Sequence, residues 1–213
     1  IEITRRCAYV RVLVTELQRI ASHMVWYGTT GMDLGASTTF LYAFRDREDL
    51  LNFFEELAGG RMTPSYSRVG GMAADLTTGF EVRCRAFLDQ LEPKIDDYEA
   101  LLTGNEIFKE RTQNVGYVST EDLIALGVTG PVLRASGLKW DLRKNQPYLV
   151  YDEFEFDVPT ATASDVYCRY LVRMAEMRQS IRIIRQVLDG MPEGDINISD
   201  TKFRRPSKDT IMV

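Results

Sequence analysis

The stretch YVRVLVTELQRIASHM, residues 9–24, sets Val10, Leu13, Val14, Leu17, Ile20, Ala21 and Met24 at steps of three and four. At 3.6 residues per turn these positions share one side of a cylinder, so the stretch reads as an amphipathic helix with a broad apolar face. The same spacing returns three times. A second helix is expected over Thr39–Leu57, with Leu50, Phe53, Phe54 and Leu57 on one side and Arg45, Asp46, Arg47, Glu48 and Asp49 on the other; GGR at 59–61 is its stop. A third is expected over Phe80–Leu102, carried by Cys84, Leu88, Leu91, Ile95, Tyr98 and Leu102. A fourth, over Asp165–Leu188, is carried by Tyr167, Tyr170, Met174, Met177, Ile181, Ile184 and Leu188, with Asp189-Gly190 after it. Together they predict a mainly α fold, a bundle of long antiparallel helices with short β and loop insertions.

Between the third and fourth helices the pattern changes. VGYVST (115–120) reads as a short extended piece, EDLIALG (121–127) as a short helix capped by Ser119 or Thr120, and GVTGP (127–131) as a tight loop. From Ser136 to Pro159 the text is loop-like, and a loop of that length is either functional or docked on something.

The chain has 213 residues, of which 45% are hydrophobic and 27% charged, enough apolar material for a soluble folded core. No linker, repeat or low-complexity tract divides it, so residues 1–213 are read as a single helical domain. A net charge of −5 with scattered Lys and Arg excludes a nucleic-acid footprint, and the short basic runs at Arg182/Arg185 and at Arg204, Arg205 and Lys208 read as solvated surface. Cys7, Cys84 and Cys168 lie far apart without a CxxC pair, so no zinc or iron–sulfur site is built locally and a reducing compartment is expected. The chain opens on IEITRRCAYV, with no visible signal peptide and no Met, and ends at KDTIMV; it is expected to be an internal fragment of a longer chain.

One acid stands out. In GTTGMDLGASTTF (28–40), Asp33 is the only formal charge between Arg19 and Arg45, and burying a lone carboxylate costs several kcal/mol or forces it to take up a proton. On the residues alone, an acid before Leu-Gly is most simply a turn cap, Thr29 one turn earlier an ordinary packed hydroxyl, and His23, the only histidine, a hydrogen-bonded core residue. The apolar run His23–Phe44 raises a membrane-span question, but Gly28, Gly31, Gly35 and the Ser/Thr run favour a buried helix followed by a turn.

Four segments carry a resemblance: LVTELQRIASHMVWYGTTGMDLGASTTFLYAFRDRE (13–48), SRVGGMAADL (67–76), GVTGPVLRASGLKWDLRKNQPYLVYDEFEFDVP (127–159) and RYLVRMAEMRQSIRIIRQ (169–186). In this order, colinear from about Arg6 to Leu188, they resemble the D-type, or 49 kDa-type, subunit of respiratory complex I, the NADH-quinone oxidoreductase. The resemblance implies a fold like the large subunit of [NiFe] hydrogenases and a peripheral-arm position at the cytoplasmic face of the cell membrane, or the matrix or stromal side in an organelle. The implied partners are other peripheral-arm subunits, above all the one carrying the terminal [4Fe–4S] cluster, and the membrane subunit at the quinone entrance. NADH is oxidised elsewhere, so the chain itself is expected to bind quinone as substrate and neither nucleotide nor metal. The absence of GxGxxG and Walker motifs agrees with this.

The resemblance also gives residues their roles. Asp33 matches an aspartate that hydrogen-bonds the histidine holding the quinone headgroup, which makes it the candidate catalytic acid; Thr29 and Asp33 are the quinone-binding candidates. A carboxylate behind an imidazole fixes its tautomer and stabilises its protonated form. His23 is a secondary proton-path candidate. Arg61, Thr63 and Arg68 are expected near the partner's cluster, and Arg134, Asp141, Arg143 and Lys144 in loops at subunit interfaces, with Trp140, Tyr148 and Tyr151 as aromatic anchors. The chain departs from the family pattern in two ways. The quinone-contacting histidine and tyrosine belong to motifs that precede anything present here. In addition, GGRMTPSY places Thr63 where many members have a titrating histidine, which suits a low-potential quinone such as menaquinone. Two further readings stay open: the large subunit of a membrane-bound [NiFe] hydrogenase, whose two CxxC pairs are not in this chain, and a helical assembly scaffold without chemistry.

Overall fold

A computed structural model describes residues 2–198. The basic run at Arg204, Arg205 and Lys208 and the closing KDTIMV lie outside the described residues. Four long helices dominate: α1 (Arg5–Asp33), α2 (Ser37–Ala58), α3 (Phe80–Leu102) and, last in the chain, α8 (Val166–Asp189). Between α2 and α3 a two-stranded antiparallel hairpin pairs β1 (Ser67–Arg68) with β2 (Gly71–Met72). Four short helices, α4 (Glu106–Thr112), α5 (Thr120–Ala125), α6 (Gly130–Arg134) and α7 (Leu142–Asn145), and a 3-10 turn at Tyr151–Glu153 fill the stretch before α8.

The caps follow the side chains. Thr4 accepts from the Cys7 N–H at the start of α1, Ser119 from Asp122 at α5, and Asp165 from Cys168 at α8, each supplying a partner to an otherwise orphaned donor. Gly59, at φ +71°, ends α2 in the left-handed conformation that glycine adopts without penalty.

α1 runs nine residues beyond Met24, past the end of its apolar spacing, and the reason lies in its glycines. A Cβ on Gly31 would sit 2.1 Å from Oγ1 of Thr39, and one on Gly28 would sit 3.2 Å from Cα of Phe40. The start of α2 therefore lies directly on the end of α1. The reversal is closed by Ala36 N–H donating to the Gly31 carbonyl at 2.8 Å and by Gly35 at φ +93°. His23–Phe44 is thus divided between two antiparallel helices, and among the described residues no helix is long and apolar enough to cross a membrane.

α8 runs antiparallel to α1, its Ser180 meeting Glu16 and its Glu176 meeting His23; α3 runs antiparallel to α2, with Tyr98 against Asp46 and Phe87 against Phe53. Leu13, Leu17, Ile20 and Met24 of α1, Leu50 of α2, Leu88, Leu91 and Ile95 of α3, and Met177, Ile181 and Ile184 of α8 are at most 1% exposed and form a shared core. Each such side chain contributes about 1.5–3 kcal/mol by leaving water.

Three expectations are corrected. VGYVST forms no strand: Asn114 and Gly116 take left-handed backbone and the Asn114 N–H donates to Asp165 Oδ2 at 2.9 Å, tying the segment to the cap of α8. Asp46 does not share a solvated face with its neighbours; it is 1% exposed and receives Tyr98, Arg45 and Lys94. The Ser136–Pro159 loop docks on the chain's own helices, burying Tyr151, Phe154 and Phe156. Tyr151 is therefore a core residue and not an interface anchor; its hydroxyl donates to Glu16 at 2.6 Å.

Candidate functional site

Asp33 is the last residue of α1 and is exposed. Among the described residues its carboxylate accepts no hydrogen bond and makes no ion pair, so it does not cap the turn. Its place also runs against the helix dipole. A carboxylate beside the free carbonyls of a helix C-terminus costs roughly 0.3–1 kcal/mol, and here the end is served by a cation instead, Arg111 donating to the Leu34 carbonyl at 2.8 Å. Stability does not explain an acid at this position.

Thr29 lies one turn before Asp33 on the same helix face. It is half-buried and its hydroxyl donates back to the Val25 carbonyl at 2.8 Å, which leaves the oxygen's lone pairs as acceptors. Met32 beside Asp33 and Leu41 and Tyr42 on the first turns of α2 are exposed, and the Arg111 guanidinium sits at the Leu34 carbonyl of the same hairpin tip.

His23, ten residues earlier and about 15 Å along the axis by helix rise, is buried and faces α8. Its Nε2 lies 2.7 Å from Oε2 of Glu176. Burial lowers its affinity for a proton, Arg173 and Arg19 add to that, and the Glu176 contact opposes without reversing it, so the neutral ring donates Nε2–H to the carboxylate. Beyond Glu176 the contacts continue. Arg134 meets the Oε1 side of Glu176 at 2.7 Å from Nε, and stands 3.8 Å from Asp141; Asp141 pairs with Arg143 at 2.7 Å, and Arg143 reaches Glu16 at 3.0 Å. Ser180 and Tyr151 donate to Glu16 at 2.6 Å each. Burial pushes the Glu16 carboxyl up, but Arg19, Arg143 and the two hydroxyls outweigh it; for Glu176, burial is likewise outweighed by His23 and Arg134. Both stay ionised, below the usual carboxylate range.

Sequence reasoning singled out Arg134, Asp141 and Arg143 but missed Glu16 and Glu176. The signal was present: each is a lone acid among apolar neighbours, Glu16 beside Leu13 and Leu17 and Glu176 beside Met174 and Met177. Arg19 lies one turn from Glu16, but Arg134 and Arg143 arrive from the short helices α6 and α7, more than forty positions away in sequence, which a helical wheel does not display.

Arg61, Thr63 and Arg68 lie at the other end of the α1–α2 hairpin. Arg61 is tied to acids of α2, donating to Glu55 at 2.7 Å and pairing with Glu48, while Thr63 and Arg68 are exposed. Beside this loop a cavity of about 540 Å³ opens between Val14, Thr15 and Gln18 of α1, Phe54 and Leu57 of α2, and Tyr66. Its walls hold hydroxyls and an amide but no carboxylate or imidazole. Eighteen residues of α1 separate Thr15 from Asp33, about 27 Å. The fold therefore joins Thr29 to Asp33 but keeps this pair apart from Arg61, Thr63 and Arg68. Cys7, Cys84 and Cys168 are all buried free thiols, and among the described residues no group of three or more His, Cys, Asp or Glu side chains is placed to hold a metal ion.

Residues 33–213 match the family described as respiratory-chain NADH dehydrogenase, 49 Kd subunit. The chain is 52% identical over 213 residues to the second D-type subunit of the NADH-quinone oxidoreductase of Roseiflexus sp. (strain RS-1), covering 99% of this chain and 51% of that protein. It is 49% identical over 206 residues to the D-type subunit of the NADH-quinone oxidoreductase of Desulforamulus reducens (97% and 56%), and 51% identical over 195 residues to the H-type subunit of the NAD(P)H-quinone oxidoreductase of Thermosynechococcus vestitus (91% and 50%). The chain thus spans about half the length of the curated relatives it matches. The chain belongs to the 49 kDa subunit family of the respiratory-chain NADH dehydrogenases.

Proposed function

We propose that the chain is part of the quinone-reducing subunit of a complex I-type NADH-quinone oxidoreductase, with a hydrogenase-large-subunit-like helical domain seated in the peripheral arm against the membrane. Asp33 carries the reading. It is an exposed acid placed against its helix dipole, with no hydrogen-bond or ion-pair partner among the described residues, at a hairpin tip where another surface can close over it.

Reduction of a quinone to a quinol takes two electrons and two protons. The electrons come from the terminal cluster of a partner subunit. The protons require groups near the carbonyl oxygens, and Asp33, behind an imidazole supplied from outside the described residues, orients that ring and stabilises its protonated form. Thr29, with free lone pairs on the same face, receives a hydrogen bond from the ring or from the forming quinol. The cavity beside Tyr66 favours a second placement because it is large and mostly apolar, but it contains no acid or base to serve proton transfer. The partner cluster and the membrane subunit complete the site, and quinone reduction is coupled to proton translocation in the assembled enzyme.

A photoreactive quinone applied to the assembled enzyme discriminates the two placements. Label on peptides holding Thr29 and Asp33 supports the reading. Label confined to Val14–Gln18 and Pro64–Ser67 removes Asp33 from the site.

A further inference from the structure

On the α1–α8 side of the bundle Arg19, Arg134 and Arg143 pair with Glu16, Asp141 and Glu176, three charges of each sign. Among the described residues Arg19 pairs with Glu16 alone, at 3.2 Å from Nε, shares that acid with Arg143, and leaves 24% of its side chain open.

That opening leads into a cavity of about 220 Å³ lined by Arg19, Arg134, Asp141 and Arg143. Its rim is apolar: Trp140, Leu142 and Tyr148 are 37%, 51% and 43% exposed. A guanidinium with unused donors at the base of a pocket, ringed by exposed aromatic and aliphatic side chains, is the pattern of an interface in which one buried charge pair is shielded by apolar contacts. The cavity wall itself carries three guanidiniums, Arg19, Arg134 and Arg143, against one carboxylate, Asp141, and this sets the sign of what enters. A carboxylate would accept the free donors of Arg19, whereas an apolar or basic occupant would desolvate those donors without a partner.

We propose that this cavity is a socket for one acidic side chain, Asp or Glu, borne on an apolar segment of another subunit of the enzyme. The proposal rests on the functional reading above and gives it a specific contact: a charge-assisted pair at Arg19, enclosed by Trp140, Leu142 and Tyr148.

A photo-crosslinking phenylalanine analogue in place of Tyr148, in the assembled enzyme purified through a tag on this chain, tests it. The expected result is a cross-link to another subunit, within a peptide that contains Asp or Glu. Arg19→Gln should lower the yield roughly tenfold and Arg19→Lys should restore most of it, since the lost interaction is a charge-assisted pair. Other subunits co-purifying while cross-links stay within this chain, or go to lipid, would overturn the socket alone. A tagged chain that brings down no other subunit would overturn both the socket and the functional reading.

Discussion

Nη1 of Arg143 lies 3.0 Å from Glu16 Oε1 and 3.1 Å from Glu16 Oε2, joining the short helix α7 to the middle of α1 across 127 positions of sequence. Both side chains are essentially closed to water, at 3% and 0% exposure. Removing one member leaves the other in the core with one ion-pair partner fewer, Glu16 keeping Arg19 and Arg143 keeping Asp141, so Arg143→Met or Glu16→Leu should each cost about 1.5–3 kcal/mol. The double variant Glu16→Leu/Arg143→Met should lose less than the sum. Equilibrium urea unfolding of the four proteins checks the coupling, and strict additivity would show that the pair is not energetically joined.

Acid should weaken the fold in two steps. The folded His23 binds its proton less readily than the unfolded ring, so the unfolded state gains protons first, as pH falls below about 6.5. Stability is full above that value and declines as pH drops toward the lower folded pKa. Glu16, Glu176 and Asp141 are held below their unfolded values, so their contribution is present above about pH 4 and is lost as pH falls through their folded pKa values. Thermal melts between pH 8 and 3 should show both declines. His23→Gln should flatten the first and leave the second.

The reversal between α1 and α2 depends on the missing side chain at Gly31. In Gly31→Ala the new methyl would lie 2.1 Å from Oγ1 of Thr39, forcing the helices apart at a cost of about 1–3 kcal/mol. Thr39→Ala in the same chain should recover part of that loss in a denaturant titration. Equal stability of Gly31→Ala and the parent would mean that the helices do not pack this closely.

The four long helices were legible because apolar residues at steps of three and four can bury only one face. Their ends were legible where a cap was local, as at Asp165 and Gly59. The last turns of α1 were not: Gly28 and Gly31 look like breaks until Thr39 and Phe40 are seen to occupy the space they leave. VGYVST has strand-like composition but no neighbouring strand to pair with. At the site, the family pattern pointed to Asp33, and the structure adds its exposure at the hairpin tip. Glu16 and Glu176 stayed hidden because a buried carboxylate is explained only by its partners, and Arg134 and Arg143 come from short helices distant in sequence.

Thr63 lies on the exposed loop expected to face the partner's cluster, and threonine brings no titrating group there. In the assembled enzyme the midpoint potential of that cluster should therefore change little between pH 6 and 8. Thr63→His should introduce a slope approaching about 59 mV per pH unit, the value for one proton per electron. Such a slope in the parent enzyme would mean that another group supplies the coupling.

The role of Asp33 is tested most directly by Asp33→Asn in the assembled enzyme, which keeps shape and hydrogen-bonding capacity but removes the charge. Because the side chain is exposed and makes no hydrogen bond or ion pair among the described residues, assembly and NADH oxidation by an artificial acceptor should be unchanged. Quinone reduction should fall by roughly a hundredfold, the scale at which a positioned acid–base group contributes. Parental quinone reductase activity in that variant would contradict the account.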